Sequence, residues 1–342
     1  MSVTTISGLN PQIGKNHLIN GEMRVSQRGA SFTSTDSLNN DDVYTLDRWN
    51  LVSEGNDIVD VTQSTTVPTG GALKSIALDV ETANKQFGII QILEANNCTG
   101  LIGNEVTFSF KAKVSNVALG DVRAGIIAWS STADSVTSDI IATYNDDANP
   151  TLASNLTFEN TPSDLGVTTS WATYSVTATI DTGSTTNVVV WIGSVDSATT
   201  TGHFLYITDC QLEIGPNKTL FERENYIVTL NKCQRYFERI MMNANSQIAP
   251  GFNKSTTASV GAIRFAQQKR AVPTAAFSAT SAHFRVWHTT TATDTTNIAI
   301  DVANEDIVNL VATVSSGLTA GQGSSIGSRN SDGAYLDISS EL

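Results

Sequence analysis

The chain has 342 residues and a net charge of −13, with 20 Lys and Arg against 33 Asp and Glu, and only 15% of its residues are charged while 40% are hydrophobic. That length is enough for two domains with real cores, and apolar segments recur too regularly for a disordered chain. An acidic chain without a basic cluster argues against nucleic acid and against insertion into or binding of an anionic membrane, because neutralising phosphate takes Lys and Arg.

Residues 1–15 are polar and contain Gly8, Pro11 and Gly14. They read as an N-terminal arm, either a tether to a larger assembly or a tail lying on its own domain. The start, Met1-Ser-Val-Thr-Thr-Ile, has neither a basic region nor an apolar run, so no signal peptide is expected. From Asn16 a first domain opens, with Met23, Val25 and Gln27 alternating with Arg24 and Ser26 as in a half-buried strand. Residues 30–43 form a polar loop tipped by Asn39-Asn-Asp-Asp42. Four oxygen-bearing side chains suit Ca²⁺, but the EF-hand spacing is absent and a solvated turn is expected. At Asp47-Arg48-Trp49 the chain enters a strand, with Trp49 in the core and Arg48 either paired to a buried carboxylate or solvated.

Strand-like runs follow at 57–63, 73–80, 87–93 and 106–114. In the last, Val106, Phe108, Phe110, Ala112 and Val114 fall on one face, and Thr107, Ser109, Lys111 and Lys113 on the other. Residues 123–130 and 187–193 are apolar on both faces and read as central strands. Residues 131–166 are a long polar segment of weak strand propensity. Trp171 to Ile180 alternates again, and so does the run from Phe204, where Phe204, Tyr206 and Thr208 oppose Leu205, Ile207 and Asp209. Strands at this spacing without amphipathic helices between them predict an antiparallel two-sheet sandwich. Gly215-Pro216-Asn217 stops the last strand, leaving Leu220 and Phe221 to fold back over a sheet edge or end. Tyr226, Ile227, Leu230, Cys233, Gln234 and Phe237 then recur at helical spacing, as in a connector.

From about Glu238 a smaller β domain is expected, with segments at 257–265, 274–278, 282–288, 297–302, 307–314 and 334–339. Gly317 to Gly333 is rich in Gly and Ser and reads as a flexible hairpin loop. The domains are therefore 1–15, 16–237 and 238–342. Splitting the chain there puts −12 of the net charge before residue 238 and −1 after it. The three cysteines, Cys98, Cys210 and Cys233, form no CxxC pair and are expected as buried reduced thiols.

Three stretches carry a resemblance: Asn16-His-Leu-Ile-Asn-Gly-Glu-Met-Arg-Val-Ser-Gln-Arg-Gly29; Asp47-Arg48-Trp49; and Gln211-Leu-Glu-Ile-Gly with Thr219-Leu-Phe-Glu-Arg223 and Cys233-Gln-Arg-Tyr-Phe237. In this order they resemble tailed-bacteriophage virion proteins, many of them tail fibres, that have a carbohydrate-binding-module-like jelly roll followed by a small C-terminal β domain. One departure is Leu220, where such proteins often have Pro. The resemblance implies an all-β fold: a jelly-roll-type antiparallel β-sandwich, then a second, smaller β-sandwich-like domain. It also implies a homotrimer, other virion proteins as partners, and a virion location reached by assembly in host cytoplasm.

No HExxH, GxSxG, P-loop or zinc-spaced Cys/His cluster is present, so no catalytic residue, metal or cofactor is expected. Sugar binding uses an aromatic platform with amides and carboxylates beside it. Trp129, Trp191 and Trp287 are candidate rings, and Asp134, Asn145, Asp146 and Asp147 are candidate polar partners for the first two. A strand tryptophan is more often core than platform; Trp129 and Trp191 are preferred because in similar jelly rolls such strands line the concave sheet. The function expected is a phage tail fibre or receptor-binding protein contacting a host surface glycan. The alternatives are a capsid decoration, head-fibre or tail adaptor protein of purely structural role, and a polysaccharide depolymerase, which would need two carboxylates facing across a glycosidic bond.

Overall fold

A computed structural model describes residues 14–181, 183–278, 283–329 and 333–342. The expected N-terminal arm lies outside the described residues apart from Gly14 and Lys15. Contacts divide the chain into two compact units, one running to Tyr226 and the other spanning Ile227–Glu341.

The first unit is built from β1 (Ser31–Phe32), β2 (Val43–Tyr44), β3 (Asn50–Ser53), β4 (Val59–Ser64), β5 (Ser75–Val80) and β6 (Phe87–Ile92). After a short helix α1 (Ala95–Cys98) come β7 (Glu105–Val114), β8 (Val122–Trp129), β9 (Ile141–Thr143), β10 (Thr151–Leu152) and β11 (Leu156–Phe158). The unit ends with β12 (Ala172–Thr179), β13 (Asn187–Ser194) and β14 (Phe204–Ile214). Among the described residues these form two six-stranded sheets, β1-β4-β5-β14-β7-β12 and β11-β8-β13-β6-β3-β2, with β9 and β10 as a separate hairpin. From β5 onward the chain steps from one sheet to the other at nearly every connection. The resulting orders, β5-β14-β7-β12 facing β6-β13-β8-β11, are those of a jelly roll, two interlocked Greek keys. The expected fold class is thus present.

Period-two alternation sets the core. Val106, Phe108, Phe110, Ala112 and Val114 of β7 all enter it, and Leu205, Ile207 and Leu212 of β14 meet them. Each of these side chains except Ala112 contributes about 1.5–3 kcal/mol by leaving water. All three cysteines are buried, and none is in a disulfide with another described residue. Val188 N–H donates to the Cys98 sulfur at 3.2 Å, and burial pushes that thiol up to about 12.

The first two stretches that carry the family resemblance and the Gln211–Arg223 part of the third meet in one clasp. Asp209 takes a φ of 52°, and the β14–β7 register shifts between Thr208 and Gln211, so β14 bulges. Gly21 lies against that bulge: Cys210 N–H donates to its carbonyl, and a Cβ on Gly21 would stand 2.1 Å from the Cys210 oxygen. No larger residue fits. Asn16 Nδ2 donates to Cys210 O at 3.1 Å, and Leu212 N–H donates to Asn16 Oδ1. Glu222 accepts from the Asn16 and Gly14 N–H groups, Gln211 Oε1 accepts from Glu222 N–H, and Glu213 accepts from Thr219 N–H. Arg223 bridges Glu22 and Asp209. Trp49 Nε1 donates to Asn20 O, Asn20 Nδ2 to Asp47 O, and the Arg48 guanidinium to Ile92 O. Leu220 departs from expectation: it is 90% exposed and covers no edge, because its own carbonyl is held by Lys15 and its side chain points away.

The tip at residues 39–42 is not simply solvated. Asn39 is fully buried, and its Nδ2 donates to both Asp57 and Asp60 at 2.8 Å. Asp41 Oδ1 accepts from Ser53 N–H. Burial, followed by the charges of Asp41 and Asp139, pushes the Asp42 carboxyl up to about 7.

The second unit opens with helix α2 (Tyr226–Gln234, its first residue shared with the first unit) and continues with β15 (Phe237–Met242), β16 (Gln247–Asn253), β17 (Ala258–Arg264) and β18 (Thr274–Phe277). It continues through β19 (Phe284–His288), β20 (Thr291–Ala303), β21 (Ile307–Val314), β22 (Gly323–Ser328) and β23 (Ala334–Ser339). Strands β16-β17-β21-β20-β19-β22 close into a barrel, and β15-β23-β18 form a small sheet. Met242, Leu336 and Ile338 of that sheet share a core with Phe284, Val286, Leu310 and Ile326 of the barrel. The expected Gly/Ser loop at 317–333 is corrected in part, since 323–328 is a barrel strand. Its small residues are required there, for a Cβ on Gly327 would stand 1.9 Å from Ser246 O.

Candidate functional site

The sequence-predicted site lies on the outer face of the sheet containing β8 and β13. That face is covered. Residues 131–158 run across it, and Val136, Ile140, Ile141 and Leu156 pack with Val52, Ile90, Ile127, Trp129, Val189 and Trp191 in a second core of the unit. Trp191 is 1% exposed and Trp129 7%. The platform expectation for these two rings is therefore corrected: the covering segment buries them.

The Trp191 indole lies on a bed of glycines. A Cβ on Gly88 would stand 2.7 Å from its Nε1, and one on Gly193 2.8 Å from its Cζ2. Phe158 packs beside it at a centroid distance of 6.0 Å. Trp129 Nε1 donates to Thr132 O at 2.9 Å, tying the start of the covering segment to the end of β8.

The predicted polar partners hold that segment down and do not form one site. Asp134 Oδ1 accepts from Ala95 N–H and Asn187 Nδ2, both at 2.8 Å. Asn145 Nδ2 donates to Asn149 O, closing the loop after β9. Asp146 Oδ1 accepts from Gln86 Nε2. Asp147 accepts from the Ser197 N–H and hydroxyl, while its own N–H donates to Val195 O. Asp134 is thus fixed at Asn187, where β13 begins, and Asp147 at Val195, just past its end. At ~3.3 Å per residue those anchor points are about 25 Å apart. Trp129 and Asp134 come together at one end of the strand, and Asn145, Asp146 and Asp147 at the other.

The outer face of the opposite sheet is buried at Thr107, Ser109, Thr208 and Gln211 and partly open beyond them, where it carries rings that the sequence reading passed over. Phe204 and Tyr206 stack at 5.5 Å and 12° between planes, and Trp171 lies 6.4 Å from Tyr206 at 56°. All three are partly exposed. Their phase is forced: Leu205 and Ile207 fill the core, so Phe204 and Tyr206 point outward. Tyr206 pairs with Lys113 across β14 and β7, and Trp171 immediately precedes β12, which pairs with β7 on its other side. The Lys113 ammonium therefore sits between two rings, 5.1 Å from the Tyr206 centroid and 5.8 Å from that of Trp171. Burial is the main cause of a raised Tyr206 phenol, opposed by a hydrogen bond to Thr66.

At one end of this strip Asp79 faces Phe204 in the β14–β5 register and Asp60 in the β5–β4 register. Asp79 Oδ1 is shielded from solvent and has no donor among the described residues. Burial first, then the charge of Asp60, raises its carboxyl. The face thus offers partly exposed aromatic rings, an ammonium donor and a carboxylate in a row. The outward alternation of Phe204 and Tyr206 was readable; the approach of Trp171 was not, because it depends on register across three strands. Among the described residues, no group of three or more His, Cys, Asp or Glu is placed to hold a metal ion.

No protein-family profile matches the chain, and no curated protein matches it. Several solved structures are similar over about half of it. One is the enzymatically active domain of tailspike protein 4 of bacteriophage CBA120, 13% identical over 59% of this chain and 22% of that chain, with a TM-score of 0.35. The match therefore spans less than a quarter of that domain's chain. Another is a family 61 carbohydrate-binding module in complex with β-1,4-galactotriose, 11% identical over 58% of this chain and 99% of that one, with a TM-score of 0.31. A third is a xylan-binding domain from Paenibacillus barcinonensis, 12% identical over 49% and 87%, with a TM-score of 0.30. The jelly-roll assignment rests on strand order, independently of these likenesses.

Proposed function

We propose that the protein is a structural component of a tailed-bacteriophage virion, a tail fibre or receptor-binding protein, that contacts a host surface saccharide through the partly open face of its jelly roll. The observation that carries the saccharide reading is the partly exposed row of Phe204, Tyr206 and Trp171 with Lys113 between the rings. Sugar C–H faces stack on aromatic rings, while hydroxyls need donors and acceptors beside them, here Lys113 and Asp79. The three ordered motifs support the virion reading, and the parts of them up to Arg223 bond to one another in the jelly roll. By the same resemblance the protein is a homotrimer with other virion proteins as partners. Each shallow site binds weakly, because hydrated hydroxyls give little net gain, and several copies supply strength through effective concentration.

The test is binding of the intact protein to host cells and to their purified surface polysaccharide. Trp171→Ala and Tyr206→Ala should each weaken binding while melting as wild type does. A wild-type protein that binds neither cells nor polysaccharide would sink the receptor-binding reading and leave the structural role. One observation favours a hydrolytic reading: Asp60 and Asp79 are direct cross-strand neighbours, a spacing of ~4.5–5.5 Å between Cβ atoms. Release of reducing ends from host polysaccharide, lost in Asp79→Asn, would establish it.

A further inference from the structure

The barrel of the second unit carries an open cavity of about 700 Å³. Its position follows from strand phase. Phe284 and Val286 of β19, Ile326 of β22 and Ala249 of β16 fill the barrel core. Trp287, Ser325 and Pro250 lie between those positions and directly opposite one another across β19, β22 and β16. They therefore point outward in one row. The central strand of the three presents only Gly323, Ser324 and Ser325 here, so a trough remains between the Trp287 indole and the Pro250 ring.

The turn from β19 to β20 forms one wall. His288 pairs with Thr291, leaving Thr289 and Thr290 as a two-residue hairpin. Thr289 has a φ of 49°, a conformation that favours glycine and is rarely adopted by a β-branched residue. Strain of this kind concentrates at ligand sites. On the other flank Arg285, paired with Asp294 at 2.9 Å, lies 5.5 Å from the Trp287 ring centroid and steadies it. The Trp287 Nε1 has no acceptor among the described residues. The side chains of Gln247, Thr289 and Thr290 make no hydrogen bond to another described residue.

The chemistry of the lining selects the ligand. None of the residues that line the cavity carries a fixed charge. Hydroxyls and amides both donate and accept, as the hydroxyls of a sugar do, whereas carboxylates only accept and ammonium groups only donate. An indole and a proline ring supply apolar faces for stacked C–H groups. The volume falls within the range of about 300–1,000 Å³ usual for ligand pockets. We propose that this cavity binds a neutral saccharide unit, stacked on Trp287 and hydrogen-bonded by Gln247, Thr289, Thr290 and Ser325. The inference deepens the saccharide-binding reading, on which it rests, by adding a second and chemically distinct site in the other unit.

The experiment uses the full chain and a printed array of neutral bacterial oligosaccharides. Wild type is compared with Trp171→Ala, which removes the jelly-roll strip, and with Trp171→Ala/Trp287→Ala. The single variant should keep array signal, and the double variant should weaken it about tenfold, equivalent to ~1.4 kcal/mol. Ser325→Phe in the Trp171→Ala background fills the trough from a solvent-facing position. It should give the same loss and decides the matter if Trp287→Ala melts early. If Trp171→Ala alone abolishes all binding, or if both cavity variants bind as their parent does, the cavity is not a saccharide site and the reading of the jelly-roll face stands. If wild type binds no oligosaccharide on the array or from host polysaccharide, both fall together.

Discussion

Replacing Trp191 by Ala should damage the fold of the jelly roll, whereas replacing Trp171 should not. Trp191 is fully buried between the glycine bed of Gly88 and Gly193 and the covering segment at 131–158. Truncating a buried Trp costs about 3–5 kcal/mol in transfer and cavity terms. Part of this is returned, because the Trp191 Nε1 donor is shielded and unsatisfied among the described residues, and deleting such a group recovers roughly 1–3 kcal/mol. The net expectation is a loss of about 2–3 kcal/mol. For a unit of this size each kcal/mol moves the melting point by about 2–4 °C, so Tm should fall by about 4–12 °C. Trp171 is partly exposed, and its loss should stay within about 1 kcal/mol. The assay is calorimetric melting of both variants, with limited proteolysis to follow residues 131–158, which should be cut first in Trp191→Ala. Equal melting points for the two variants, or a larger loss in Trp171→Ala, would refute the assignment of one ring to the core and the other to the surface.

Asp42 should make the jelly roll less stable as pH rises. Its folded carboxyl sits at about 7 against an ordinary 3.8, so the folded state holds an extra proton between those values and stability falls across about pH 4–7. Asp42→Asn should melt about 1–2 kcal/mol higher at pH 8, after discounting for partial exposure, and as wild type at pH 4; a variant that melts as wild type at both would contradict the burial of this carboxyl. In the second unit Lys269 is 1% exposed and donates to Glu238 at 2.7 Å. Lys269→Ala should cost about 3–5 kcal/mol by leaving that buried carboxylate without its cation, and Lys269→Met/Glu238→Leu should recover most of it, read by denaturant titration. Arg223→Ala should cost about 1–2 kcal/mol in the first unit, because Glu22 and Asp209 lose their shared cation while Lys111 still pairs with Asp209; an unchanged urea midpoint would show that the clasp does not hold the sandwich closed.

Much of the fold was readable where one physical signal dominates. The alternation in 106–114 separated the two faces of β7, and that from Phe204 did the same for β14 as far as its bulge between Thr208 and Gln211, which shifts the inward phase by one residue and was not foreseen. The apolar character of 123–130 and 187–193 on both faces was also a true signal, and it carried more than was drawn from it. A strand apolar on both sides is covered on both sides, which already speaks against an open platform at Trp129 and Trp191. What covers them was hidden, because Val136, Ile140, Ile141, Leu152 and Leu156 are scattered through a polar segment without a period. Strand β16 was hidden for a different reason: Pro250 and Gly251 stand in its middle, and both argue against a strand. Strand β22 looked like a loop because its Gly and Ser residues answer to close backbone approach and not to side-chain propensity. The candidate site was the least legible part, since Trp171 and Tyr206 are joined only by the registers of β14 with β7 and of β7 with β12.

The most direct test of saccharide contact uses the five tryptophans as reporters. In protein labelled with ¹⁵N-tryptophan, the indole N–H resonances are assigned by single substitution and followed as host surface oligosaccharide is added. The resonances of Trp171 and Trp287 should shift and saturate, while those of Trp49, Trp129 and Trp191 stay in place. Movement confined to Trp129 and Trp191, or no movement at any of the five, would contradict the account.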